Sequence, residues 1–360
     1  MRQAIISDTH SNKWTNKAYE SLKKYKDKLQ IDSVVYNGDL IGHFSLAKSN
    51  PHRNTHISRS ELDNYLMEAA PNFYKQWKST NNITKSMVYE FVGERYSWIV
   101  KFLKKSSKEL KTIWNLGNHE SKHHFLVLNE IPFLTGCSHD VIQNIDDAIL
   151  NKIYDLYLNK IKELEKTHDF HYIGDKHIIL DETMLIGIPG QSHGTVGRQK
   201  ESVIQEEETK RILNNAKKEL ENVQNVIIYN HTQGNYLREH SLYQPASKAA
   251  KDFMKQIPDT INHKIFVQSH NHWSYTQVLQ PKHFLFILNN AGLHGGIYNI
   301  IDVTKESVKV LDVDPYHDKV TKLKISSEYG PEFAGEKEKV LRNYPDEKIV
   351  LARKTRYQNN

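Results

Sequence analysis

Five times along its first three quarters, this chain runs through a short apolar segment and stops abruptly at a cluster of Asp, Asn, His or Gly. Ile5-Ile6-Ser7 meets Asp8-Thr9-His10, and Val34-Val35-Tyr36-Asn37 meets Gly38-Asp39. Ile113-Trp114-Asn115-Leu116 meets Gly117-Asn118-His119-Glu120. Val226-Ile227-Ile228-Tyr229-Asn230 meets His231, and Ile265-Phe266-Val267-Gln268-Ser269 meets His270-Asn271-His272. Runs of this length, rich in β-branched and aromatic residues, read as strands. Longer stretches with helical spacing lie between several of them, so the pattern predicts βαβ units in a layered α/β fold. In open α/β sheets the ligand crevice lies beyond the carboxyl ends of the strands. All five polar clusters fall at that end.

The individual elements follow from the same periodicities. Strands are expected over residues 4–7, 32–37, 112–116, 184–189, 223–230 and 263–269, and a helix over 16–29, where Ala18, Leu22 and Tyr25 share a face. From Trp273 onward the texture changes to strands at 274–279, 284–289, 298–303 and 307–313, joined by short turns, which predicts an antiparallel portion of a second sheet. Two segments read as insertions. The first, about 43–110, carries helical stretches at 60–77 and 86–110, with Ser60 and Asp63 at capping-box spacing. The second, about 121–166, carries a helix at 146–165. Both follow a polar cluster and are expected to overhang it as lid or cap. Residues 1–325 are expected to form the main domain and 326–360 a polar tail.

Composition narrows the function classes. Of 360 residues, 38% are hydrophobic and 26% charged, the balance of a folded globular chain. Cys137 is the one cysteine, which excludes an internal disulfide and a thiolate zinc cluster and points to a reducing, cytoplasmic compartment; a small buried side chain is the expected role. No run of eighteen apolar residues occurs, so no membrane span is expected. The net charge of +6 suits an anionic partner. Residues 51–112 hold 11 Lys+Arg against 6 Asp+Glu, interleaved with Tyr65, Phe73, Tyr74, Trp77, Tyr89, Phe91, Tyr96 and Trp98. Aromatics at helical spacing favour core packing over base stacking. Twenty histidines, several at the ends of apolar runs, are what a metal site built on loops requires.

Hydrolysis of a phosphate ester gives those parts a purpose. Phosphorus is shielded by negatively charged oxygens, and two divalent ions about 3.5–4 Å apart neutralise them and hold a bridging hydroxide in line. Such a pair takes a bridging carboxylate and His, Asp and Asn ligands from several loops.

In order and in kind, the motifs Asp8-x-His10, Gly38-Asp39, Gly117-Asn118-His119-Glu120, His231 and His270-x-His272 resemble those of the calcineurin-like metallophosphoesterase superfamily. They span about three quarters of the chain. The resemblance implies a four-layer α/β/β/α sandwich with helical insertions, and it implies roles. Asp8, His10 and His272 would bind one metal, and Asn118, His231 and His270 the other. Asp39 would bridge the two, and His119 would contact the phosphate and protonate the leaving oxygen. The ions implied are Mn²⁺, Fe²⁺/Fe³⁺ or Zn²⁺, among which mixed N/O ligation does not choose. Gly38 and Gly117 suit sharp turns that let backbone approach the site. Asn289-Asn290-Ala291-Gly292 is similar to the Asn-Pro-Gly turn of many relatives, with Ala in place of Pro.

This chain also departs from the family's patterns. Ser269 stands where the last motif commonly has glycine, and no arginine follows Gly38-Asp39, which sets the chain apart from the protein Ser/Thr phosphatase branch. The expected activity is metal-dependent hydrolysis of a phosphomonoester or phosphodiester, on a phosphorylated small molecule or a nucleotide. Two other readings stay open at this point: a DNA or RNA nuclease of the same superfamily, and a scaffold that binds metal without catalysis. His43 and His193, on loops beyond two of the strands, are further candidates for substrate contact. Nothing in the sequence fixes the oligomeric state.

Overall fold

The structure is a computed structural model that describes residues 1–41, 59–117, 120, 125–138, 140–190, 198–231, 248–273, 276–279, 284–290, 296–315 and 317–325. Strands β1 (Arg2–Ile6), β2 (Ser33–Asn37), β3 (Lys111–Asn115) and β4 (Phe170–Tyr172) run parallel to one another. On the other side of β1 lie β11 (Tyr298–Val303), β12 (Val308–Asp314) and β13 (Lys319–Lys322), each antiparallel to its neighbour. Together they form a seven-stranded sheet ordered β13-β12-β11-β1-β2-β3-β4. The second sheet is ordered β5-β6-β7-β8-β10-β9, from β5 (His177–Leu180), β6 (Thr183–Ile188), β7 (Asn225–Asn230), β8 (His263–Trp273), β9 (Gln277–Leu279) and β10 (Phe284–Asn290).

Alternation along the strands assigns the layers, because successive side chains point to opposite faces. Ile5, Val35 and Ile113 of the first sheet meet Leu185, Ile227, Ile265 and Ile287 of the second in one buried core between the sheets. Their neighbours Ala4, Ile6, Val34, Tyr36 and Trp114 face outward, onto Ala18, Leu22, Phe91, Ile99, Tyr154 and Ile161 of helices. Across the second sheet, Met184, Ile186, Val226, Ile228 and Phe266 face outward onto Ile212, Leu213, Ala216 and Phe253. Strands buried on both faces are apolar throughout, which is why they stand out in the sequence. The result is the expected α/β/β/α sandwich.

Several expectations need correction. The strands after Trp273 are not one antiparallel block. The strand at 284–290 joins the second sheet parallel to β8, whereas those at 298–303 and 308–314 join the first sheet beside β1. The stretch expected as one helix at 60–77 is two, Arg59–Ala69 and Pro71–Thr80. Pro71 disfavours helical backbone at the residue before it, and Ala70 sits at φ −153°. Ser60 therefore lies inside the first helix, not at its cap. The first helix of the chain runs Asn12–Tyr25, earlier than periodicity placed it, because the Ser11 hydroxyl caps it by accepting the Trp14 N–H at 3.2 Å. Cys137 is only partly buried.

The helices of the two insertions, Lys85–Ser106 and Asp147–Thr167 among them, are part of the layer that covers the first sheet. Phe73, Phe91, Tyr96, Tyr154 and Tyr157 are buried there, and the Tyr96 and Tyr157 rings stack 4.5 Å apart. Core packing thus accounts for the aromatics of that segment. Among the described residues, no helix is long and apolar enough to cross a membrane. The tail at 326–360, the Ala291-Gly292 turn, His43 and His193 lie outside the described residues.

Candidate metal centre

The loop after β1 and the loop after β2 are built as one unit. Asp8 donates its backbone N–H to the Gly38 carbonyl at 3.1 Å, and His10 donates its own to the Asp39 carbonyl at 3.0 Å. Asp8, His10 and Asp39 all have left-handed backbones, with φ of 50°, 51° and 54°. That region is sparsely populated for side chains other than glycine and costs of order 1–3 kcal/mol per residue where it occurs. Three of the residues expected as ligands share it, within two loops that hydrogen-bond to each other.

The side chains converge at the carboxyl ends of both sheets. His10 Nε2 lies 3.7 Å from Asp39 Oδ2 and 4.0 Å from Asp8 Oδ1. His231 follows β7 on the second sheet, and its Nε2 lies 3.0 Å from Asp39 Oδ2 and 4.0 Å from Asp8 Oδ1. All four residues are buried. One donor atom each from Asp8, Asp39 and His231 lie within 4.8 Å of one another and could hold a metal ion. Oxygen and imidazole donors together suit Mn, Fe or Zn. The His231 Nδ1 faces the Asn37 carbonyl at 2.6 Å, which turns Nε2 toward the carboxylates. Ring-nitrogen anchoring of this kind fixes the tautomer of a metal-ligating histidine.

Charge explains why the cluster calls for a cation. Burial disfavours a charged His231 ring, but the Asp39 and Asp8 carboxylates outweigh it and push the imidazole up to about 10. Two buried carboxylates this close need compensating positive charge, supplied by a proton on His231 or by metal.

Glu120 holds the loop that carries Asp39. Its Oε2 accepts the backbone N–H of Asp39 at 2.8 Å and of Gly117 at 2.9 Å, and its Oε1 those of Leu40 at 2.6 Å and Ile41 at 3.1 Å. Burial and the Asp39 charge push its carboxyl up to about 7, while these amides pull it back. The packing leaves no room for side chains at the two glycines. A Cβ on Gly117 would lie 2.1 Å from Asp39 Oδ1, and one on Gly38 2.5 Å from the Gly117 Cα and from His231 Nδ1.

The remaining expected residues divide into two groups. His270 and His272 lie on the last part of β8, beside β7, with side chains outside the described set. Asn118 and His119 lie outside the described residues altogether. Neither the Glu120 carboxylate nor the Asn37 side chain is among the residues expected at the site. Asn37 ends an apolar run and Glu120 lies four residues past one, which marks a position but not a role.

A family model, Calcineurin-like phosphoesterase, matches residues 1–274. Among solved structures, a dimetal phosphatase from Danio rerio is similar at 11% identity and a TM-score of 0.41, over 89% of this chain and 98% of that one. The calcineurin-like phosphoesterase YfkN from Bacillus subtilis is similar at 11% identity and a TM-score of 0.38, over 100% of this chain and 97% of that one. No curated protein matches. With the family model covering three quarters of its length, the chain belongs to the calcineurin-like phosphoesterases and is a metal-dependent hydrolase of phosphoric ester bonds.

Proposed function

We propose that the chain hydrolyses a phosphomonoester or phosphodiester, carried by a small molecule or a nucleotide, with two divalent ions held between the sheets. The observation that carries this reading is the position of Asp39. Its Oδ2 lies 3.7 Å from His10 and 3.0 Å from His231, the two histidines assigned to different ions, as a bridging carboxylate requires. Asp8, His10 and His272 would hold one ion and Asn118, His231 and His270 the other. When bound, the ions neutralise the phosphoryl oxygens and supply a water nucleophile at neutral pH. Asp8 and Asp39 balance that charge, and the Asn37 carbonyl keeps His231 aimed inward. His119 is assigned proton donation to the leaving oxygen. The burial of Asp8, His10, Asp39 and His231 excludes bulk water, so the field of each charge is felt strongly.

The test is hydrolysis of p-nitrophenyl phosphate and bis-p-nitrophenyl phosphate with Mn²⁺ added and with chelator. Turnover that chelator abolishes, Mn²⁺ restores and His119→Ala lowers by about 10²–10⁴-fold fits general acid catalysis at this site. Turnover that survives chelation, or is unchanged in His119→Ala, would overturn the assignment.

A further inference from the structure

The residues around the cluster come from two different sheets. Asp8 and Asp39 follow strands of the first, and His231 follows a strand of the second. The spacing of the donors therefore depends on how the two sheets are held together at this end. Most of the contact between them is apolar and non-directional. Among the described residues, directional side-chain hydrogen bonds also cross here, and those made by Asn115, Asn37 and Asn289 are buried.

Asn115 at the end of β3 donates its side-chain amide to the Ile188 carbonyl at 3.0 Å and the Tyr229 carbonyl at 3.1 Å, both on the second sheet, and to Asn37 Oδ1 at 2.9 Å. Asn37, so oriented, donates from Nδ2 to the Ser269 hydroxyl at 2.8 Å. Asn289 on β10 donates to the Ser7 hydroxyl, next to Asp8, at 2.6 Å. Asn37 is the pivot. Its side chain bonds across to β8, its carbonyl faces His231 Nδ1, and the next two residues are Gly38 and Asp39.

Ser269 is thus more than a tolerated replacement for glycine. It is fully buried and immediately precedes His270. Its hydroxyl accepts the Asn37 amide, which would otherwise be a buried unsatisfied donor. We infer that Ser269 is a positioning residue of the metal centre, one that locks Asn37, and through it His231 and Asp39, to the strand carrying His270 and His272. A glycine here could not make this bond. The inference rests on the two-metal reading of the site.

Ser269→Ala and Ser269→Gly test it, with metal affinity measured by calorimetric Mn²⁺ titration of chelator-stripped protein, alongside thermal unfolding and steady-state kinetics. Groups that orient metal ligands from behind typically change metal affinity or activity 10–100-fold when removed. The expected result is an equal loss in both variants, about tenfold or more in Mn²⁺ affinity, with kcat falling and KM little changed while the fold is retained. Asn37→Ala should cost less Mn²⁺ affinity in the Ser269→Ala background than in wild type, because the bond between the two side chains is already gone and only the one from Asn115 remains to be lost. Ser269→Gly that binds Mn²⁺ and turns over as well as wild type would overturn the inference, since backbone freedom would then be what matters. So would Ser269→Ala with unchanged affinity, or losses that track unfolding alone. Wild-type protein that binds no Mn²⁺ would overturn the two-metal reading, and this inference with it; normal wild-type binding with indifferent variants would overturn this inference alone.

Discussion

Glu120 accepts the backbone N–H of Asp39 at 2.8 Å, and so fixes by main chain the residue whose side chain lies between His10 and His231. One carboxylate gathers four amides from two loops. Glu120→Gln keeps the volume but has one acceptor oxygen, and it turns an NH₂ group toward amide donors. Hydrogen bonds to charged groups are worth about 1.5–3 kcal/mol each. Glu120→Gln is expected to lose about 3 kcal/mol of stability in urea unfolding of metal-free protein and to bind Mn²⁺ more weakly. Wild-type stability in the variant would show that the amides find other partners.

Gly38 has a φ of +81°, and a Cβ there would meet the Gly117 backbone at 2.5 Å. Left-handed backbone costs an L-residue about 1–2 kcal/mol before any clash. Gly38→Ala is therefore expected to cost more than about 2 kcal/mol and to abolish Mn²⁺ binding, because relief must come from moving Asp39 or Gly117. Calorimetric titration checks the second point; normal metal affinity in the variant would mean that the loops are more forgiving than their packing implies.

The helices that follow the Gly38-Asp39 motif pack as core, and this is testable by truncation. Phe91 is fully buried and meets Phe73 edge-on at 5.0 Å. Phe91→Ala should cost about 3–5 kcal/mol, as core aromatics do. A loosely attached cap would lose far less. Chemical denaturation that gave under about 1 kcal/mol would restore the view of this segment as an appendage.

A buried ion pair sets a pH dependence away from the metal centre. Glu130 lies 3.5 Å from Arg95, both almost fully buried. Burial pushes the Glu130 carboxyl from 4.5 up to about 7, and Arg95 only partly offsets it. The folded protein therefore binds this proton more tightly than the unfolded chain. The contribution is present in full below about pH 4.5 and is lost as pH rises through about 7. Relative to Glu130→Gln, which does not titrate, wild type should lose stability between pH 5 and pH 8, by of order 2–3 kcal/mol. A gap between the two proteins that stays constant or moves the other way would show that Arg95 keeps Glu130 ionised.

What the sequence made legible follows from how each feature is encoded. Strands β1, β2, β3, β7 and β8 are largely apolar on both faces and end at polar residues, so both their existence and their polar ends could be read. Asp8, His10, Asp39 and His231 converge because each sits at such an end. Sheet membership was not legible beyond Trp273. β10 and β11 carry similar apolar runs, yet one pairs with β8 and the other with β1, a choice made by long-range packing rather than by local pattern. The break at Pro71 was legible in principle, since the residue before proline avoids helical backbone. The roles of Asn37 and Ser269 were not, because each depends on a partner more than 200 positions away.

The central claim, that Asp39 bridges two ions, is tested most directly by counting metal in wild type and in Asp39→Asn, using Mn²⁺ titration of stripped protein followed by calorimetry and metal analysis. Asparagine keeps the shape and removes the charge that two cations would share. The account predicts about two Mn²⁺ per wild-type chain, and no more than one, weakly held, in a variant that stays folded. Two ions bound as tightly by Asp39→Asn as by wild type, or a wild type that binds none, would contradict it.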